Sequence, residues 1–261
     1  MKKLPEFETI ICKQDGPVLT ITLNRPDRLN AFSAEMFADV GTAVETVSEM
    51  RDIRVVVFTG AGRAFCSGAD LTNVAEHHSH SEGDALAAGI RQASGVFDRV
   101  EALPQATIAA INGHAVGAGL QIGLACDFRI AVAGAKLGLS DVKIGIIPAL
   151  GATTRLPRLI GLAKTKELIL TGDLILSEQA LEIGMINQVV EKEQLEDAVK
   201  ELAEKLTSRA PLAIETAKRL LNTGATLDEV AKAQSRLIKS ADALEGISAF
   251  FEKRTPDFKG S

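Results

Sequence analysis

The chain has 261 residues, 46% of them hydrophobic, enough to bury a sizeable core without demanding two domains. Its formal net charge is −5 and no basic stripe follows any predicted helix, which argues against nucleic acid or an anionic membrane as partner. No apolar run approaches the roughly 18 residues that suggest a membrane span, and without Trp or Tyr any proton chemistry falls to Asp, Glu, His, Cys, Lys or water.

The opening MKKLPEFETIIC has no apolar signal core, and Cys12, Cys66 and Cys126 form no CxxC pair, so a reduced, cytoplasmic protein is expected. Thr9–Ile11 and Val18–Leu23 read as strands joined by the turn Gln14-Asp15-Gly16-Pro17. Ser33 can cap a helix in which Met36, Phe37, Val40, Val44, Val47 and Met50 keep helical spacing. RVVVFTG then reads as a buried strand, and the polar stretch 72–83, TNVAEHHSHSEG, as a mobile loop. Ile90–Leu103 is a helix stopped before Pro104, ATIAAING another buried strand, and FRIAVAGAKLGL two short strands across a glycine turn. From Ser177 the pattern is helical almost to the end, with charged helices at 192–208, 212–222 and 227–253. The class is α/β: a core over residues 1–200, then a helical region, 201–261, that packs back or serves between subunits.

Two stretches share one design, a buried strand, then small residues, then a helix. They are VVVFTGAGRAFCSGADL and IAAINGHAVGAGLQIGL. Small residues let a ligand approach the backbone, and free amides at a helix start attract negative charge. Two such loops converging can give one oxyanion a pair of N–H donors. Tight strand–helix packing explains the same composition equally well. A dinucleotide fingerprint is a poor fit, because GAGRAFCSG lacks the acidic residue about 20 positions on, and no GK[ST] is present.

NRPDRLNAFS, GRAFCSGADL, NGHAVGAGLQIGLACDFRIA, AKLGLSDVKIGIIPALGATTRLPRLIG, TGDLILSEQALEIGMINQVV and AFFEKRTPDFKG, in this order, resemble the crotonase family of enoyl-CoA hydratases and isomerases. The resemblance spans essentially the whole chain. It implies a spiral of β-β-α units, a C-terminal helical region for oligomer contacts, and trimers or hexamers. It also implies an acyl-CoA thioester substrate whose carbonyl oxygen sits between two backbone amides, carried over by motif position to Ala69 and Ala118. The coenzyme A groove would be lined by NRPDRLNA, with Arg28 and Ala31, and by the GADL loop, with Gly68, Asp70 and Leu71; Gly117 flanks the second donor. Phe250 and Lys253 match residues that reach a neighbouring subunit's coenzyme; on their own they read equally as helix packing and a solvated lysine. No metal or further cofactor is implied, coenzyme A being part of the substrate.

The proton carriers depart from the family pattern. Its first glutamate falls on Gln121, which can orient water or substrate but has no titratable proton. Its second falls on Asp141, shorter by one methylene, about 1 Å less reach. A third position, eight residues on, is Ala149. One carboxylate suits double-bond isomerisation more comfortably than hydration, while family prevalence leans towards hydratase. A decarboxylase or a catalytically silent acyl-CoA-binding member are the alternatives. Cys66 reads as a packed residue, His77, His78 and His80 as solvated loop histidines, and His114 as a structural histidine. Asp127 and Asp70 also read as loop ties, a second role for Asp70 beside the groove.

Overall fold

The computed structural model describes residues 3–72 and 83–261. His77, His78 and His80 lie outside the described residues. Strands β1 (Ile10–Asp15) and β2 (Val18–Leu23) form an antiparallel hairpin. β1 runs further than Thr9–Ile11, because all six of its residues pair with β2 up to the Gly16 turn. Gly16 has φ +54°, a conformation glycine adopts without steric cost. Helix α1 (Ala34–Ser48) follows, and the Ser33 side chain accepts a hydrogen bond from the Met36 N–H, as an N-cap should.

A three-element turn then repeats. The first consists of β3 (Val55–Gly60), β4 (Ala64–Cys66) and α2 (Gly83–Glu101). The second is β5 (Ala106–Ile111), β6 (His114–Val116) and α3 (Ala118–Ala125). The third is β7 (Phe128–Val132), β8 (Lys136–Gly138) and α4 (Ala152–Thr171). Each first strand joins one sheet and each second strand another, always parallel to its predecessor. With β9 (Leu174–Leu176) and β10 (Gln188–Val190) the sheets read β1-β2-β3-β5-β7-β10 and β4-β6-β8-β9. This is the expected spiral of β-β-α units.

β3 and β5 are buried on both faces, which is why they read as unbroken apolar runs. Val56, Phe58, Ala109 and Ile111 pack with Met36, Val40, Val44 and Phe97 on one side. Val55, Val57, Ile108 and Ala110 pack with Leu195 and Ala203 on the other. Full burial of each such aliphatic or aromatic side chain stabilises the fold by about 1.5–3 kcal/mol. Phe32, Phe37 and Phe97 add an aromatic cluster with centroids 4.7–5.7 Å apart.

Several boundaries differ from the sequence reading. α2 is already helical at Gly83, well before Ile90, because Ala85, Leu86, Ala87 and Ala88 are good helix formers. The strands of FRIAVAGAKLGL do not pair with each other; the Gly134 turn passes the chain from one sheet to the other. After α5 (Ser177–Glu182), β10 interrupts the helical run by pairing with β7. The last charged stretch is two helices, α8 (Leu227–Leu237) and α9 (Ala241–Glu252), because Ser240 turns extended and caps α9 through Ala243 N–H. Before them come α6 (Leu195–Thr207) and α7 (Pro211–Thr223). α7 is tied into the spiral by buried Lys218, whose Nζ lies 2.8 Å from Asp127 Oδ2 and donates to the Gln105 carbonyl at 2.9 Å.

Candidate active site

The two glycine loops lie side by side because β3 and β5 are neighbours and Asn112 spans their ends. Its Oδ1 accepts from Gly60 N–H at 3.0 Å and its Nδ2 donates to the Gly60 carbonyl at 2.8 Å. At the first loop, Gly68 O accepts from Phe32 N–H at 2.8 Å, and Asp70 N–H donates to Phe32 O at 2.9 Å. In this parallel bridge Phe32 faces Ala69, whose own N–H points to the opposite side and takes no hydrogen bond among the described residues. At the second loop Gly117 opens α3 with φ +53°, and Ala118 N–H is one of the first-turn amides that a helix leaves unpaired.

The loops touch where these amides are. A methyl group on Gly68 would sit 3.4 Å from the Val116 carbonyl oxygen and 4.0 Å from the Ala118 nitrogen. One on Gly119 would sit 2.3 Å from the Cys66 carbonyl, so α3 can start here only on glycine. The small residues thus serve both close packing and an exposed backbone edge.

Asp141 meets the same point. It opens a short 3-10 turn, Asp141–Ile144, after β8, and a methyl group on Gly117 would lie 3.9 and 4.0 Å from its two carboxylate oxygens. Oδ2 is buried without a hydrogen-bond partner among the described residues. Burial pushes the carboxyl above the ordinary aspartate value, opposed in part by a hydrogen bond from its own backbone N–H.

Gln121 is 2% exposed on the first turns of α3. Its Oε1 accepts from Leu150 N–H at 2.8 Å and from Ala152 N–H at 3.3 Å, so the carbonyl end caps the start of α4. Nε2 makes no hydrogen bond among the described residues. The Leu150 carbonyl is held at 3.1 Å by buried Arg155, which also pairs with Glu101 at 2.9 Å and with Asp98. Ala149 immediately precedes the residues that these contacts fix. No sequence motif announced Arg155, because its partners lie more than 50 residues away on α2.

Other expected residues fall into place as ties or packing. Asp70 pairs with Arg25 at 3.0 Å and accepts from Thr72 Oγ1 at 2.6 Å; hydrogen bonds from Thr72 and then Arg25 lower its pKa. Asp127 accepts from Thr107 N–H at 2.7 Å, and His114 Nδ1 accepts from Lys136 N–H at 3.0 Å. Cys66 is fully buried with its thiol pushed up to about 12, which leaves no thiolate at neutral pH. Arg28 and Leu71 are exposed beside the first loop, and Ala31 is buried behind them. Phe250 and Lys253 stand on α9, where Phe250 is 79% exposed and Lys253 ends the helix at φ +55°. Neither makes a hydrogen bond or ion pair with the loop that carries Ala69 among the described residues. No group of three metal-ligating side chains occurs among the described residues, and none of their helices is long and apolar enough to cross a membrane.

Two unpaired amides converging with a desolvated carboxylate can receive a carbonyl oxygen and move a proton beside it. The chain belongs to the enoyl-CoA hydratase/isomerase family, whose profile matches residues 13–261. It is 35% identical over 256 residues to a short-chain-enoyl-CoA hydratase of Clostridium acetobutylicum, covering 95% of this chain and 97% of that one. It is 38% identical over 263 residues to a 1,2-epoxyphenylacetyl-CoA isomerase of Escherichia coli, covering 97% and 99%. A crystal structure of an enoyl-CoA hydratase from Bacillus anthracis superposes with a TM-score of 0.91 at 38% identity, covering 97% of this chain and all of that one. The chain is an enzyme of the hydratase/isomerase type.

Proposed function

We propose that the enzyme shifts a carbon–carbon double bond in an acyl-CoA thioester through an enolate, with Asp141 as the single proton carrier. The observation that carries this reading is the buried Asp141 Oδ2, without a hydrogen-bond partner among the described residues, beside Gly117 at the point where the two glycine loops meet. Gln121 and Ala149 occupy the other positions at which relatives place carboxylates.

In the forward direction the thioester oxygen of a 3-enoyl-CoA accepts hydrogen bonds from Ala69 and Ala118 N–H. Asp141 carboxylate takes a proton from carbon 2, and the C–H electron pair moves into a dienolate with its charge on that oxygen. The same proton returns to carbon 4, giving the 2-enoyl thioester and free carboxylate. Two fixed donors stabilise such an oxyanion by several kcal/mol; loss of one alone costs about 2.7–4 kcal/mol in other enzymes. Only one titrating group is needed, because the carboxylate ends in the form in which it began.

Arg28, Ala31, Gly68, Asp70, Leu71 and Gly117 form the near side of the coenzyme groove. Phe250 and Lys253 act on a neighbouring subunit's coenzyme in a homotrimer or hexamer, supported by the exposed apolar faces of α8 and α9 with Leu227, Ile238, Leu244 and Phe251. The spiral core to about residue 200 carries the chemistry, and the region from 201 serves assembly. Coenzyme A, part of the substrate, is the cofactor-like group required, in a cytoplasmic enzyme.

The test is ultraviolet absorbance of the conjugated thioester, starting separately from 2-enoyl-CoA and 3-enoyl-CoA. Gain of signal from the 3-enoyl substrate, with no loss from the 2-enoyl substrate, is expected. Loss from the 2-enoyl substrate makes the enzyme a hydratase. No change in either moves the assignment to decarboxylation or silent binding.

A further inference from the structure

The side of the Gly68–Asp70 segment away from Ala69 N–H is held by an unusual piece of backbone. Leu29 and Asn30 both adopt left-handed conformations, φ +50° and +57°. Such conformations cost non-glycine residues on the order of 1–3 kcal/mol each, and persist only when their surroundings over-determine them. Here fully buried Asn30 accepts from Arg25 N–H at 3.0 Å and donates to the carbonyls of Ala61 and Ala64, each at 2.9 Å. The result is a miniature parallel ladder. Leu29 O accepts from Ser67 N–H at 3.0 Å, and Phe32 bonds both Gly68 and Asp70.

Arg25 closes the end of that ladder across both of its strands. Nη1 donates to the Ala31 carbonyl at 2.6 Å, and Nη2 pairs with Asp70 Oδ2 at 3.0 Å, with both side chains mostly buried. Asp70 is in turn gripped by Thr72 through its other oxygen. The guanidinium is therefore committed to the protein, and its charge is met by Asp70 rather than left for a phosphate. Exposed Arg28, three residues on, has no such partner among the described residues.

We propose that Arg25 is a positioning residue for the reaction: through Ala31 O and Asp70 it fixes the peptide that carries Ala69 N–H, and so the direction of one oxyanion donor. This rests on the Ala69–Ala118 reading of the site. A planar fork joining a carbonyl to a carboxylate cannot be reproduced by a single ammonium, so Lys is no substitute. Displacement of a donor by about 1 Å is enough to cost up to about 100-fold in turnover.

The experiment combines kinetics with infrared spectroscopy of bound butyryl-CoA carrying ¹³C at the thioester carbonyl, a saturated probe with no double bond to move. Hydrogen bonds to the carbonyl oxygen lower its stretching frequency. In wild type the frequency should drop on binding. In Arg25→Ala and Arg25→Lys it should drop less, while kcat falls about 10- to 100-fold and KM changes less than about 3-fold; in Asp70→Asn the frequency should likewise drop less. Arg25→Ala and the double variant Arg25→Ala/Asp70→Asn should lose the same amount, because either change opens the same clamp. A full frequency drop in the Arg25 variants overturns the proposal. A KM rise at unchanged kcat would make Arg25 a ligand of the coenzyme instead, and also overturns it. If the wild-type frequency does not move at all, the oxyanion reading itself has failed, which separates the two cases. Should Arg25→Ala not fold, the Lys and Asp70→Asn variants decide the matter alone.

Discussion

Gln121 and Asp141 fall on the two positions to which the family resemblance carries its glutamates, and their surroundings are opposite. Gln121 has its carbonyl oxygen bonded by two backbone amides, and its side chain holds the start of α4 in place. Asp141 has a buried oxygen with no hydrogen-bond partner among the described residues and a raised pKa. The bonded oxygen of Gln121 stabilises the fold. An unsatisfied, desolvated polar atom such as Asp141 Oδ2 costs stability and is available for proton transfer. The contrast divides the site into a scaffold half on α3 and α4 and a reactive half at the end of β8.

The largest expected effect comes from removing the reactive half. Asp141→Asn keeps the shape but not the base, and turnover should fall by at least about 100-fold with coenzyme A affinity largely kept. Stopped-flow or steady-state ultraviolet assays read the first, calorimetry the second. Near-normal turnover would move the base elsewhere.

Gln121→Glu sharpens the contrast from the other side. A carboxylate there would still accept from Leu150 and Ala152 N–H, and two amide donors at a helix start favour its ionised form. Asp141 is pushed the opposite way by burial. Two carboxyls with their pKa values driven apart form an acid–base pair, so hydration of 2-enoyl-CoA should rise at least about 10-fold above wild type. An unchanged rate would mean that position 121 does not face the water that attacks.

How much of this was legible beforehand follows from the range of the interactions. The repeat of buried strand and small-residue loop was readable because burial on both faces leaves a continuous apolar run, as in Val55–Phe58. The family motifs then located Asp141 and the absent glutamate. What the sequence did not disclose was anything settled across long separations: Arg155 with Asp98 and Glu101, the Arg25 clamp on Asp70, or the carbonyl of Gln121 turned towards Leu150. Helix ends were misplaced where a local cap competed with pattern, as at Ser240. The passing of the chain between sheets at Gly134 has no local signature, since both strands are short and apolar.

A smaller effect is expected from Gln121→Ala, which removes the cap and leaves two N–H groups at the start of α4. Losses of this kind are typically about 1–2 kcal/mol. Thermal unfolding should show a Tm drop of a few degrees, whereas kcat should fall far less than in Asp141→Asn. A drop in turnover as large as that of Asp141→Asn would give Gln121 a direct part in the chemistry.

The smallest effect concerns stability and its dependence on pH. In the unfolded chain Asp141 titrates near 3.8, and burial raises that value in the fold. Between the two values the native state binds more protons than the unfolded state, so this group makes stability fall as pH rises through that window. Above the native pKa the loss is complete and constant. Asparagine carries no such charge, so Asp141→Asn should be more stable than wild type at neutral pH, with the advantage shrinking as the pH is lowered towards 3.8. Parallel Tm-versus-pH curves for the two proteins measure it. Activity has the same origin with the opposite sign: the base must be ionised, so the acidic limb of kcat/KM should lie above the ordinary aspartate value. A variant less stable than wild type at neutral pH would mean that Asp141 is held by bonds that favour its charge, and the reactive half would be as satisfied as the scaffold half.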